Sequence, residues 1–177
     1  MPASPDMTAT ELQAMIRDIP DFPQPGVLFR DITPLLADYR AFVSAINLMS
    51  GAFGNIDHVV CIESRGFIFG APIAYRLGAG LIPVRKAGRL PSGTLSEDYA
   101  LEYGTNTVEI HADAITAGER VLIVDDLLAT GGTIFAASKL VERLGAQLAG
   151  VSVLIELSQL GGREKLSGLE VLSQITY

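Results

Sequence analysis

Four consecutive apolar residues, Val121 to Val124, run into Asp125 and Asp126, and a turn of small residues, LLATGGT, follows. A short all-apolar run wants burial on both faces, as a central strand of a parallel sheet provides. After the turn, Ala137, Leu140, Val141 and Leu144 recur at helical spacing up to Gly145, a residue suited to end a helix. A buried strand feeding directly into a helix commits the chain to an α/β domain.

The rest of the sequence fits that architecture. HVVCI (58–62), Leu81 to Val84, Asn106 to His111 and Val151 to Ile155 read as strands, and Val171 to Tyr177 as a weaker last one. Thr8 or Thr10 can cap a helix carrying Leu12, Met15, Ile16 and Ile19 on one face, with Pro20 as its stop. Ala41 to Phe53 and Gly66 to Leu77 read as further helices. DFPQPG reads as a rigid loop, and Ala87 to Gly104 as a long one, of the length that is usually functional. The expectation is one domain over residues 1–177, with a mainly parallel central sheet flanked by helices.

Composition removes several function classes. No stretch approaches the roughly 20 apolar residues of a membrane span. The N-terminus has neither a basic start nor an apolar segment of the secretory kind. Cys61 is the only cysteine, so a disulfide framework within the chain is excluded and a reducing cytoplasm is expected. The net charge of −7 argues against general nucleic-acid binding. From Ser64 to Ser96, however, there is no acid, while Arg65, Arg76, Arg85, Lys86 and Arg89 fall within that window. Such a local excess suits an anion pocket. His58 and His111 are isolated and read as structural or exposed.

The two halves of the DDLLATGGT turn suit different groups. Backbone N–H groups of Thr130, Gly131, Gly132 and Thr133, at the start of a helix, form an anion site with two hydroxyls beside it. Adjacent carboxylates repel a phosphate but accept hydrogen bonds, so vicinal hydroxyls or a metal are the partners for Asp125 and Asp126. A ribose 5-phosphate offers both chemistries. A Walker loop would need a lysine before the hydroxyl residue, and a dinucleotide site a G-x-G-x-x-G after a strand; neither occurs here.

VLIVDDLLATGGT resembles the phosphoribosyl-pyrophosphate motif of the type I phosphoribosyltransferases, and its Leu-Leu-Ala form looks most like members that use adenine. FPQPGVLFRDITPLL, ESRGFIFG, VRKAGRLPSGTL, LEYGT and LGGREKL are also similar to segments of that group, in the same order, from Phe22 to Leu166. The resemblance implies the type I phosphoribosyltransferase fold, with a small N-terminal hood over residues 1–35 and a mobile lid loop over 87–104. It implies transfer of the phosphoribosyl group of 5-phosphoribosyl 1-pyrophosphate to adenine, giving AMP and pyrophosphate, with Mg²⁺ as cofactor and a homodimer as the assembly.

Site residues follow from the same resemblance. Ala129, Thr130, Gly131, Gly132 and Thr133 would hold the 5-phosphate, and Asp125 and Asp126 the ribose. Ser64 and Arg65 would form the pyrophosphate loop, with a cis peptide expected at Glu63–Ser64, and Arg85 and Lys86 would meet the same anion. Leu28, Phe29 and Arg30 would contact adenine, Phe29 packing on the base with Leu157 on its other side. Glu102, between two aromatics in YALEYG, would be the general acid/base, since a carboxylate drawn into a closed apolar site has a raised pKa. Mg²⁺ would come mainly through the substrate, with Asp125 and Asp126 reaching it through water. Cys61, where relatives often carry glycine, reads as core packing. Backbone readout of a base leaves little mark on a sequence, so xanthine, hypoxanthine and orotate stay open as bases. A phosphoribosyl-pyrophosphate-sensing regulator and a nucleotide-binding module of another α/β class also stay open.

Overall fold

The computed structural model describes residues 6–51, 53–100 and 104–177. The chain forms two compact units, Met1–Leu48 and Met49–Tyr177. In the first, Thr8 caps helix α1 (Ala9–Gln13) through a capping box. Its hydroxyl accepts from Glu11 N at 3.3 Å, and the Glu11 carboxylate accepts from Thr8 N at 2.8 Å. The helix stops well short of Pro20. Arg17–Pro20 instead form strand β1, paired antiparallel with β2 (Leu28–Asp31), so that Ile19 lies opposite Phe29. Ladder hydrogen bonds to β2 override the helical spacing of Ile16 and Ile19. Helices α2 (Thr33–Ala37) and α3 (Tyr39–Ser50) follow, the last residues of α3 passing into the second unit.

The second unit carries, in chain order, β3 (His58–Ile62), α4 (Gly66–Leu77), β4 (Gly80–Lys86), β5 (Thr94–Ala100), β6 (Thr105–His111) and β7 (Arg120–Leu128). It continues with α5 (Gly132–Arg143), β8 (Gln147–Glu156), α6 (Gly162–Lys165) and β9 (Val171–Thr176). The strand order is β5-β6-β4-β3-β7-β8-β9. From β4 to β9 in that order all neighbours are parallel, while β6 runs antiparallel to both β4 and β5. The sheet is therefore mainly parallel, as expected. Val121 to Val124 are fully buried at its centre, and Ile134, Ala137, Leu140 and Val141 of α5 join Val121 and Ile123 in one core.

Two further segments differ from expectation. The region 87–104 is not loop throughout, because Thr94–Ala100 pair with β6 from Thr94↔His111 to Ala100↔Thr105. Leu95 and Tyr99, two of the alternate residues of β5, pack on the core, while Ser96 and Asp98 are exposed. Likewise β7 does not end at Val124; it continues to Leu128 because β8 keeps pairing with it.

Candidate active site

Beyond Val124 the two neighbours of β7 part company. Pairing with β3 stops at Cys61↔Val124, whereas pairing with β8 continues to Leu128↔Glu156. Asp125 and Asp126 thus lie inside a strand but past the end of one of its partners, at the C-terminal end of the parallel strands. In open α/β sheets that is where ligands bind. Helix α4 begins beside them. Its first residue is Gly66, and a Cβ there would lie 2.8 Å from Asp125 Oδ1, so only glycine permits the approach. The Glu63–Ser64 peptide just before it is cis, as expected.

A cavity of about 510 Å³ opens at this point and brings together Ser64, Arg65, Arg85, Lys86, Asp125, Asp126, Ala129 and Thr133. A second cavity of about 70 Å³ is formed by the loop from Ala129 to Thr133 together with Asp125 and Leu127. Asp125 lines both, so the acidic centre joins a cationic chamber to a backbone cradle. Of the five cations in the acid-free window, Arg76 and Arg89 stay outside the lining. Tyr99 and Asn106 line the larger cavity without having been expected there, as does the side chain of Glu63, named from sequence only for its peptide bond to Ser64. The alternation in TLSEDYA was the available signal for Tyr99; Glu63 stands one residue outside the acid-free window.

Charges in the chamber are paired between the segment after β3 and strands β4 and β7. Arg65 Nε donates to Asp126 Oδ2 at 2.7 Å. Arg85 Nη2 donates to Glu63 Oε1 at 2.8 Å, and the Lys86 backbone N–H donates to Glu63 Oε2 at 3.1 Å. The Arg85 hydrogen bond holds the Glu63 carboxyl below the usual carboxylate range. Burial pushes the Asp125 carboxyl well up, and the charge of Asp126 adds to the rise. Burial raises Asp126 too, with the Arg65 guanidinium opposing. Lys86 forms no ion pair among the described residues and is exposed to an incoming anion.

Leu28, Phe29 and Arg30 are on strand β2 of the first unit. Phe29 meets Phe22 edge-to-face with centroids 5.2 Å apart, and Arg30 pairs with Asp18. Leu157 directly follows β8, its N–H donating to Leu128 O at 2.9 Å. Glu102 lies outside the described residues. His58 and His111 line a separate cavity of about 320 Å³, and His58 Nε2 lies 3.0 Å from Glu119 Oε2. Cys61 is packed in the core, where Gly70 lets α4 lie against its Cβ, and burial pushes its thiol up to about 12.

A family model described as the phosphoribosyl transferase domain matches residues 30–173. The adenine phosphoribosyltransferase of Thermoanaerobacter sp. is 53% identical over 173 residues, covering 97% of this chain and 100% of that protein. The chain belongs to the adenine phosphoribosyltransferase family. The crystal structure of the family member from Thermoanaerobacter pseudethanolicus is similar at a TM-score of 0.93 and 53% identity, covering 96% of this chain and 100% of that one. The Saccharomyces cerevisiae member, complexed with D-2,5-dideoxy-2,5-imino-altritol 1,6-bisphosphate and adenine, is similar at a TM-score of 0.89 and 42% identity, covering 94% and 97%.

Proposed function

We propose that this chain transfers the phosphoribosyl group of 5-phosphoribosyl 1-pyrophosphate to adenine, releasing pyrophosphate and giving AMP. The observation that carries the reading is the pair of joined cavities, cationic at one end, acidic at the junction and lined by helix-opening backbone at the other. That sequence of chemistries matches pyrophosphate, ribose hydroxyls and 5-phosphate along one substrate. Adenine as the base follows from the relatives, which are adenine phosphoribosyltransferases, one of them complexed with adenine. Residues 1–177 are taken as one functional domain.

In this reading Ser64, Arg65, Arg85 and Lys86 receive the pyrophosphate. Among the described residues Lys86 forms no ion pair, while Arg65 and Arg85 exchange part of their contact with Asp126 and Glu63 for the ligand. Ala129 to Thr133 hold the 5-phosphate on backbone N–H groups. Asp125 and Asp126 face the ribose hydroxyls and favour positive charge as it develops at the sugar carbon. Leu28, Phe29, Arg30 and Leu157 take the adenine. Glu102 accepts the N9 proton of the base as its bond to the sugar forms.

Mg²⁺ is the proposed cofactor. Among the described residues no group of three His, Cys, Asp or Glu side chains could hold a metal. The donor set fits a cation carried by substrate phosphates and met by Asp125 or Asp126 through water. When bound it would neutralise phosphate charge. The proposed assembly is a homodimer; Ile68 and Tyr75, exposed and two turns apart on α4, are apolar surface in keeping with it. The proposed compartment is a reducing cytoplasm, on the single buried cysteine. The test is product analysis with 5-phosphoribosyl 1-pyrophosphate, Mg²⁺ and adenine, xanthine, hypoxanthine or orotate in turn. AMP formed from adenine is expected; turnover with another base but not adenine would overturn the assignment.

A further inference from the structure

LGGREKL contributes nothing to the lining of either cavity at the site, yet it touches the loop that forms the smaller one. Gly162 opens α6, and a Cβ on it would lie 2.2 Å from Ala129 O and 3.0 Å from Gly131 N. The approach is mutual, because a Cβ on Gly131 would lie 2.7 Å from Gly162 O. Two glycines therefore let one stretch of backbone lie directly on another. A helix of four residues cannot hold that position by its own hydrogen bonds.

The next residue supplies the hold. Arg163 Nε donates to Glu156 Oε1 at 2.8 Å and Nη2 to Glu156 Oε2 at 2.5 Å. Nη2 also donates to Ser173 Oγ at 2.9 Å, and Nη1 to Val171 O at 3.0 Å. Ser173 Oγ in turn donates to Glu156 Oε2 at 2.6 Å. Glu156 is buried at the last position of β8. A planar guanidinium forked on a fixed carboxylate sets orientation as well as distance.

We propose that Arg163 is a positioning residue for the phosphate end of the substrate: locked on Glu156, it holds Gly162 against Ala129 and Gly131 and so sets the shape of the backbone cradle. It acts through main-chain contact and touches no substrate. This rests on the reading of Ala129 to Thr133 as that cradle.

Arg163→Met, Arg163→Lys and Gly162→Ala, each checked for wild-type circular dichroism, are titrated with ribose 5-phosphate and assayed with adenine, the activated sugar and Mg²⁺. For Arg163→Met, ribose 5-phosphate binding weakens about tenfold, KM for the activated sugar rises in parallel, and kcat and KM for adenine stay within about twofold. Arg163→Lys recovers part of the loss. Gly162→Ala keeps the ion pair but drives a methyl into Ala129 O, and it gives the same pattern; it decides the matter if the arginine variants fail to fold. Folded variants that bind ribose 5-phosphate as the wild type does, or that lose both substrates equally, overturn the proposal. A wild type that binds ribose 5-phosphate but makes no AMP refutes the adenine reading alone, and the binding ratio still judges Arg163. A wild type that does not bind ribose 5-phosphate overturns both.

Discussion

Removing the guanidinium of Arg65 isolates the electrostatics of the acidic centre. Arg65→Met keeps most of the side chain's length and takes away its charge. Asp126, 5% exposed, then stays buried beside Asp125 without its partner at 2.7 Å. Breaking a buried pair from one side typically costs about 3–5 kcal/mol. The Arg65 side chain is 35% exposed, so water screens part of the interaction. The expected loss at pH 7 is therefore nearer to about 2–3 kcal/mol.

Titration supplies a second signature. Burial raises both carboxyls, so each destabilises the fold when ionised, and the cost is relieved as pH falls through the folded-state value. Arg65 is the main influence holding Asp126 down, and its loss moves Asp126 further up. The deficit should accordingly shrink on acidification from pH 7 to pH 5. Urea denaturation of wild type, Arg65→Met, Asp126→Asn and the double variant at both pH values measures this. The double variant should lose less than the sum of the single losses. A deficit below about 0.5 kcal/mol at pH 7, the range of an ordinary surface change, would refute the reasoning, as would equal deficits at the two pH values.

Glu102→Ala should lower kcat by about 10²-fold where chemistry limits the rate, and near wild-type turnover would remove Glu102 from the mechanism. Gly131→Ala meets both a φ of +76° and Gly162 O at 2.7 Å. It should raise KM for the activated sugar by about tenfold or more; an unchanged KM would separate the loop from the phosphate. The Arg163 hydrogen bonds hold the Glu156 carboxyl below the usual range. Its contribution is present above the ordinary carboxylate value and is lost as pH falls through the lower folded one. Glu156→Gln should flatten the acid limb of melting temperature against pH, and a profile parallel to wild type would show that the pair adds nothing.

Where burial decides structure, the sequence was readable. HVVCI, VLIV and Val151 to Ile155 announced the central strands because a strand covered on both faces is mostly apolar, the one buried hydroxyl of the last, Ser152, being satisfied by Met49 O. Helix α4 has the bounds its pattern predicts. The sequence was silent where a partner strand decides. Nothing in DDLL favours strand over turn; β8 holds it extended. RDIP and LFRD are four-residue segments that become strands only through each other. In the site, chemistry-bearing side chains were visible in motifs, whereas the crossing of Glu63 to Arg85 depends on β3 and β4 lying side by side. The support beneath the cradle left only a glycine as its trace, since backbone packed on backbone has no side-chain signature.

The sheet ends in two border strands, β5 and β9. A border presents main-chain groups on which another chain can pair, the usual route to edge-to-edge association. Gly93 O and Glu170 O, one residue outside each strand, turn inward to bond Ala112 N and Val151 N. By strand alternation Ser96 O and Val171 O turn outward. Both are taken: Arg143 of α5 donates to Ser96 O at 2.7 Å, and Arg163 of α6 donates to Val171 O at 3.0 Å. A guanidinium reaching over from a helix thus blocks one rung on each side, and Glu97 and Asp98 add charge to the β5 border. Loss of either arginine would register first as concentration-dependent light scattering, as protein molecules begin to add to one another's sheets.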